Sequence, residues 1–538
     1  MCGIWFCLGD FCTANYEEYI NEIKGRGPES THILHVPNVG KLGFNRLAIN
    51  GLSEEGMQPM NYDNKIIYMC NGEIYNWKEL AKEYNILNKS QSDCEILGEL
   101  YYKNRDNINH FFRLLDGVFA LVIIDLERNI VVVGRDPYGV RPFYVGGNEG
   151  TDKYFCSEMK GLHPLCEKIE PIMPGSFRVY NSKYRVEVCR HSYIEIPFLK
   201  NPHYNEMSYA MKGIRDSLES AVQKRMLTER PIACLLSGGL DSSLIASLVA
   251  KNLRNLNLPP LKTFCIGMEG STDAKYARMV AEFIKSDHTE IILTPDDFFN
   301  AIPDVIRDIE SYDTTSVRAS VGNWLVSKYI KEHTDCKVVF NGDGSDEIFG
   351  SYMYFYNAPN DFEFEKECQR LLQDIHYFDV LRSDRSISSH GLEPRTPFLD
   401  RQFVQVAMSI PTVFRRPVKG RFVEKSILRN AFNDGTVLPE EVLWRKKEAF
   451  SDGVSSLEKS WYEIIQEKVT NLVPDNWKEL TKQFTHLPPT TPEMFYYRTI
   501  FEQDYYGKGK IIPYFWMPKW CEGATDPSAR TLKIYTSS

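Results

Sequence analysis

Three features of this 538-residue chain predict a multi-domain α/β protein. An N-terminal α+β antiparallel sandwich would precede a C-terminal α/β doubly wound parallel sheet. Length is the first feature: it exceeds what one hydrophobic core organises and points to two to four domains. The second is a dense run of short segments rich in Val, Ile, Phe and Tyr between residues 2 and about 190. The third is a regular alternation of apolar strand and helix beyond residue 230.

In the first half, "KIIYMCNGEIYN" (65–76), "LLDGVFALVIID" (114–125) and "NIVVVGRDPYGVRPFY" (129–144) read as strands punctuated by Gly, Asn, Asp and Pro. One helical pattern, 92–104, fits between them with Ser92 as its cap. Many strands with few helices favour antiparallel pairing. "EIPFLKNPHYNEMS" (195–208) carries two prolines and polar residues, so the boundaries are a first domain over 2–190, a linker over 191–208 and a second domain over 209–535. In that second domain strands are expected at 231–236, 262–267, 289–293 and 337–341 and helices at 242–253 and 274–285, with mostly helical chain after 350.

Composition narrows the function. Hydrophobic residues make up 43% and charged residues 25%, as in soluble globular proteins, and the net charge of −9 offers no basic field to nucleic acid or anionic membrane. "FALVII" (119–124) is far too short to span a bilayer, and the N-terminus lacks a signal-peptide pattern. None of the thirteen cysteines forms a C-x-x-C pair, and the five-residue spacing of Cys2, Cys7 and Cys12 fits no common zinc site. Reduced thiols and a cytoplasmic location are the expectation.

The sharpest local signal is "CLLSGGLDSS" (234–243). A buried strand runs into two glycines that let a ligand approach the backbone, and a helix then presents its free N–H groups and positive dipole end to an anion. Asp241 is placed to hold magnesium against phosphate oxygens. A second acidic string, "FNGDGSDEIFG" (340–350), follows another strand, where ligands of open α/β sheets bind. Asp343, Asp346 and Glu347 supply hard oxygens there; a plain turn capped by Ser345 or Asp346 is the alternative.

Position 2 carries a cysteine. Once Met1 is removed, its α-amine, with a pKa of about 8, is able to take the proton of its own thiol. Acyl transfer also needs oxyanion donors, and "CNGEIYN" (70–76) offers the Asn71 amide and the Gly72 N–H. Arg46 in "FNRLAIN" and Asp93 in "QSDCE" are candidates to grip an amino acid's carboxylate and ammonium, the alternatives being a surface ion pair for Arg46 and a helix cap for Asp93.

The strings "MCGIW", "NRLAI", "NGEIYN", "DGVFA" and "GRDPYGVRPFY" resemble, in order, the glutamine amidohydrolase domain of class II amidotransferases, of the N-terminal-nucleophile hydrolase type. The resemblance implies a glutamyl thioester on Cys2, an oxyanion hole of Asn71 and Gly72, and glutamine held by residues 46–50 (Arg46, Leu47, Ala48, Ile49, Asn50) with Glu73 and Asp93. One departure is "GRGPES" (25–30), where Gly25 and Glu29 replace the usual His and Asp.

The S-G-G-x-D-S-S loop resembles that of the adenylating enzymes with an adenine-nucleotide α-hydrolase (PP-loop) fold. With "SYDTTSVRAS", "VLRSDR", "HGLEPRTPFLD", "RKKEAFSDG" and "ATDPSART", nearly the whole chain resembles the glutamine-dependent asparagine synthetase family. The resemblance implies glutamine or ammonia, aspartate and ATP as substrates, magnesium as cofactor, and a homodimer. It places Leu236, Ser237, Gly239, Asp241, Ser242, Ile266, Asn341, Gly342 and Lys447 around ATP, magnesium on Asp241 and Asp346, and Arg318 at the aspartate carboxylate, although a local structural role suits Arg318 as well. Here too the pattern is altered: "NGDGSDE" (341–347) has Asn341 for Ser and Asp343 for a catalytic Glu, which shortens the reach by roughly 1.3–1.5 Å. The competing readings are an enzyme of this architecture with another carboxylate acceptor, such as a β-lactam-forming synthetase, and a weakened homologue that only binds ATP.

Overall fold

The computed structural model describes residues 1–9, 15–148, 151–194, 198–448, 450–456 and 458–528. The chain forms two compact units. One comprises Met1–Ile196, Leu227–Pro231 and Ser388–Glu393; the other comprises Pro197–Met226, Ile232–Ile387 and Pro394–Ser538.

The first unit is built on β1 (Gly3–Leu8), β2 (Ser30–Val36), β3 (Gly40–Arg46), β4 (Met60–Tyr62), β5 (Ile66–Ile74), β6 (Gly117–Asp125), β7 (Ile130–Arg135), β8 (Tyr144–Gly146), β9 (Lys153–Cys156), β10 (Ile169–Pro171), β11 (Ser176–Asn181) and β12 (Glu187–Ser192). They form two six-stranded sheets, ordered β10-β8-β9-β1-β3-β2 and β12-β11-β7-β6-β5-β4. The pairings are antiparallel, with Ile4 opposite Phe44 and Asn71 opposite Ala120. Alternation along β6 explains its unbroken apolar run. Ala120, Val122 and Ile124 point between the sheets to meet Ile4, Phe6, Leu42 and Phe44. Phe119, Leu121 and Ile123 point the other way, to Leu97, Leu100, Tyr101, Phe111 and Phe112. A strand buried on both faces has no polar side to show.

The helical layer on that outer face is richer than the sequence predicts. Beside Ile96–Asn104 it includes Trp77–Glu83 and Ile108–Leu114, each seven residues long and too short to display a helical period. Ser92 does not cap a helix with its side chain. It precedes a tight turn, Asp93–Glu95, and the Asp93 carboxylate accepts from the Ile74 N–H at 2.7 Å instead. Of the predicted linker, residues 195–197 lie outside those described; β12 runs into its start, ending at Ser192, and the helix Met207–Lys224 begins at its far end. Residues 529–535 of the predicted second domain, and Cys12, are likewise outside.

The second unit is organised by β13 (Ile232–Leu235), β14 (Lys262–Gly267), β15 (Asp287–Ile292), β16 (Val338–Phe340) and β17 (Glu393–Arg395), in the order β15-β14-β13-β16-β17. β13 runs parallel to both β14 and β16, and β14 runs parallel to β15. The chain moves outward from β13 to β14 and β15, then returns to the other side at β16. The carboxyl ends of β13 and β16 therefore flank a topological switch point, where open α/β sheets bind ligands.

Candidate active site

Each unit carries a cavity. In the first unit Cys2 precedes β1, and Arg46 ends the adjacent β3. β5 brings in Asn71, Gly72 and Glu73, and the turn after residue 92 brings in Asp93. One cavity is lined by Cys2, Arg46, Leu47, Ala48, Ile49, Asn50, Gly72, Glu73 and Asp93. Asn71 is fully buried beside it, with its Nδ2 3.5 Å from Ser157 Oγ and its Oδ1 without a hydrogen-bond partner. Gly72 is obligatory by space: a Cβ there would stand 2.0 Å from the Val118 carbonyl.

The loop after β3 is pinned by its own arginine. Arg46 donates to the carbonyls of Ser53 at 2.9 Å and Gly51 at 2.6 Å. Asn50 donates to Glu73 Oε2 at 2.8 Å. Glu29, one of the altered positions, accepts from the Ala48 N–H at 2.9 Å and from Arg230 at 2.9 Å. The Cys2 thiol is directed to the Leu47 carbonyl at 3.7 Å. With Met1 in place the Cys2 nitrogen is an amide. Burial pushes the thiol up to about 11 and the Met1 amine down to about 6.

Sequence reasoning passed over two features of this site. Arg26 donates from Nε to the Cys2 carbonyl at 3.1 Å and from Nη1 to Glu158 at 2.6 Å and Ser388 Oγ at 2.9 Å. Glu393 also lines the cavity. Ser388 and Glu393 are nearly 400 residues from Cys2, and no local pattern announces them. Gly25 admits their segment, since a Cβ at this position would lie 2.9 Å from the Ser389 carbonyl.

The second cavity opens at the switch point, and its lining includes Leu236, Ser237, Gly239, Asp241, Ser242, Ile266, Asn341, Gly342, Asp343, Asp346 and Lys447. Gly238 turns the chain with φ 71°, where a Cβ would meet the Ala277 nitrogen at 2.4 Å. Gly239 starts the helix Leu240–Asn255, and the Ser237 and Ser242 hydroxyls lie 3.0 Å apart across the loop. Gly342 passes close to Asp241, leaving 2.8 Å between a notional Cβ and the Asp241 Cβ. Gly344, at φ 96°, precedes the short helix Ser345–Phe349, which has no side-chain cap from Ser345 or Asp346.

Charge is concentrated here. Asp346 accepts from Lys447 at 2.6 Å and from Lys425 at 2.6 Å, and Lys425 also reaches Asp241 at 2.5 Å. Burial alone would raise the Asp346 carboxyl, but the two ammonium groups outweigh it and hold it far below the ordinary range. Asp343 is raised by burial, against the pull of Arg382 at 3.2 Å. Arg382 also pairs with Asp379 at 2.7 Å, and Tyr352 donates to Glu347 and Asp379. Asn341 donates to Ser383 at 2.7 Å and accepts from the Asp343 N–H at 3.3 Å, so the first residue of the altered string ties it to Ser383 and to its own Asp343.

The donor set fits a magnesium ion carried by a polyphosphate. Asp241 Oδ1 is buried with no hydrogen-bond partner. Among the described residues no cluster of three or more His, Cys, Asp or Glu side chains forms a cage. Two carboxylates with room for phosphate oxygens is the usual magnesium arrangement.

Arg318 is not part of this lining. Its guanidinium is bonded to Glu493 at 2.8 and 2.5 Å and to Asp526 at 2.9 and 2.7 Å, inside the fold. Lys425, Asp379, Arg382 and Tyr352 were missed. Arg382 lies within the conspicuous "VLRSDR" and Asp379 precedes it, but Lys425 in "FVEKSILR" looks like an ordinary surface lysine until the chain is folded.

Comparison with known proteins gives two family models: a glutamine amidotransferase domain over residues 1–216 and asparagine synthase over residues 213–365 and 357–505. The chain is 42% identical over 564 residues to asparagine synthetase [glutamine-hydrolyzing] of Gallus gallus, and 40% identical to the Homo sapiens protein of that name, with 100% of each chain covered. Among solved structures, glutamine phosphoribosylpyrophosphate amidotransferase from B. subtilis is 15% identical at a TM-score of 0.31 over 48% of this chain and 65% of that one, which carries no argument.

Proposed function

This chain belongs to the glutamine-hydrolysing asparagine synthetase family, and from that premise we propose how its residues divide the reaction. The enzyme makes asparagine from aspartate and ATP with nitrogen taken from glutamine, releasing glutamate, AMP and pyrophosphate.

In the first unit, the Cys2 thiol freed of Met1 attacks the glutamine amide carbon. The Cys2 α-amine takes the thiol proton and delivers it to departing ammonia. Asn71 and the Gly72 N–H meet the oxyanion. Arg46 holds the substrate carboxylate, and Asp93 and Glu73 its ammonium. Water then releases glutamate from the thioester.

In the second unit, the β-carboxylate of aspartate attacks the α-phosphorus of ATP, breaking the bond to the bridging oxygen so that pyrophosphate leaves and β-aspartyl-AMP forms. A carboxylate is a poor electrophile; its adenylate is a good one, because AMP leaves readily. Ammonia adds to the acyl carbon and AMP departs. Leu236, Ile266 and Gly342 frame the nucleotide through backbone and apolar contact. The loop from Ser237 to Ser242, with Asn341 and Lys447, receives the phosphates. Asp241 and Asp346 would hold magnesium, which neutralises phosphate charge when bound. Asp343, set by Arg382, stands at the acyl centre and takes the proton that ammonia sheds.

The observation that carries this division is the gathering of Cys2, Gly72, Glu73 and Asp93 in one cavity and of Asp241, Asp346 and Lys447 in another. Magnesium, ATP and aspartate supplied with either glutamine or ammonium, with asparagine, AMP and pyrophosphate all measured, tests it. Pyrophosphate without asparagine from either nitrogen source would overturn it. A cytoplasmic homodimer completes the proposal; no helix among the described residues is long and apolar enough to cross a membrane. Sedimentation and cell fractionation check those two points.

A further inference from the structure

Lys425 is the least exposed cation at the two carboxylates assigned above to magnesium. Its side chain is 2% exposed, against 18% for Lys447. The ammonium bridges Asp241 Oδ2 at 2.5 Å and Asp346 Oδ1 at 2.6 Å, while Lys447 takes Asp346 Oδ2 at 2.6 Å. The backbone at Lys425 sits at φ 55°, in the left-handed region that a lysine rarely adopts. Its neighbours hold it there. Glu424 pairs with Arg429 at 2.5 Å, and Arg429 Nε returns to the Glu424 carbonyl at 2.9 Å, bracing the start of the helix Ser426–Ala431. Strain kept by surrounding structure at a polar site is a mark of function.

The chemistry of the arrangement is specific. Two carboxylates turned toward one point repel unless a cation lies between them. An ammonium on a four-carbon stem is a compact charge with three donors, able to swing between acceptors. A hard divalent ion seeks the same oxygens. Asp241 Oδ1 is buried and unpartnered, a donor that the ammonium leaves unused.

We propose that Lys425 is a built-in stand-in cation, which holds Asp241 and Asp346 together before nucleotide binds, excludes free divalent ions from them, and yields to magnesium only when a triphosphate arrives to receive its ammonium. Lys425 is thus a positioning residue that makes metal loading depend on ATP. The inference rests on the assignment of Asp241 and Asp346 to magnesium.

Manganese binding to the full chain, followed by electron paramagnetic resonance without nucleotide, is the test. The wild-type protein should bind Mn2+ weakly. Lys425→Met and the milder Lys425→Gln should each bind it at least tenfold more tightly, and Lys425→Arg should stay as weak as wild type. Magnesium should raise the melting temperature of Lys425→Met and leave that of nucleotide-free wild type unmoved. Unchanged or weaker Mn2+ binding in a Met or Gln variant with a wild-type circular-dichroism spectrum overturns the proposal. A separate arm adds a non-hydrolysable ATP analogue: Mn2+ bound by wild type but lost in Asp241→Asn upholds the magnesium assignment whatever Lys425 does. Mn2+ that survives Asp241→Asn overturns both.

Discussion

Arg382 Nη2 lies 3.2 Å from Asp343 Oδ1. The same guanidinium is anchored to Asp379 at 2.7 Å, so Asp343 is positioned from outside its own loop. Asp343→Ala is expected to lower asparagine output by about 10²-fold or more, the usual scale for a positioned proton-transfer group. Asp343→Glu should stay within about tenfold of wild type, because the site is already set for the shorter side chain. Amino-acid analysis of the product mixture reads both; an Asp343→Ala enzyme with undiminished output removes this residue from the chemistry.

Cys2→Ala should abolish glutamine-dependent synthesis and leave the ammonium-dependent rate within about twofold, since the thiol serves only the first cavity. Parallel assays with the two nitrogen donors show this. Loss of both rates in a folded protein would mean that the labour is divided differently.

A form that keeps Met1, obtained by inhibiting methionine aminopeptidase during expression, should have a sluggish Cys2. With burial pushing the thiol up to about 11, thiolate is scarce at neutral pH, and alkylation by iodoacetamide should rise about tenfold per pH unit from 7 toward 10. The direction follows from the thiolate being the nucleophile, which becomes more abundant as pH rises through the thiol's pKa. Mass spectrometry of the N-terminal peptide reads the rate. A pH-independent rate contradicts the description.

Arg318→Ala should cost stability rather than affinity for aspartate. It strands Glu493, which is 1% exposed, without its bidentate partner, and breaking such a buried pair costs about 3–5 kcal/mol. A melting temperature lower by several degrees, with the aspartate KM of the folded fraction within about threefold, is the expected pair of readings. A tenfold rise in KM at unchanged melting temperature would return Arg318 to the substrate.

Much of this was legible because the chemistry sits in short continuous strings. The Gly238–Gly239 turn after an apolar strand, and Asn71-Gly72 within β5, write their constraints into adjacent letters. The double-faced run of β6 and the strand–helix alternation around β13 follow from burial, which periodicity reports directly. The short helices Trp77–Glu83 and Ile108–Leu114 escaped because seven residues hold barely two turns. Lys425, Arg382 and Glu393 escaped for another reason: each matters only through residues far away in sequence, and a lone charge carries no sign of which distant carboxylate or cavity will receive it. Arg318 shows the converse, since a motif-borne arginine was claimed by Glu493 and Asp526, partners that lie beyond any local window.

The segment Ser388–Glu393 belongs to the first unit, where Ser388 receives Arg26 and Glu393 walls the Cys2 cavity. The ribosome therefore makes Cys2 almost at once but supplies the last piece of its chamber nearly 400 codons later. A nascent chain that has emerged only through residue 194 carries the thiol in an unfinished enclosure, and a gene truncated there encodes the same incomplete object.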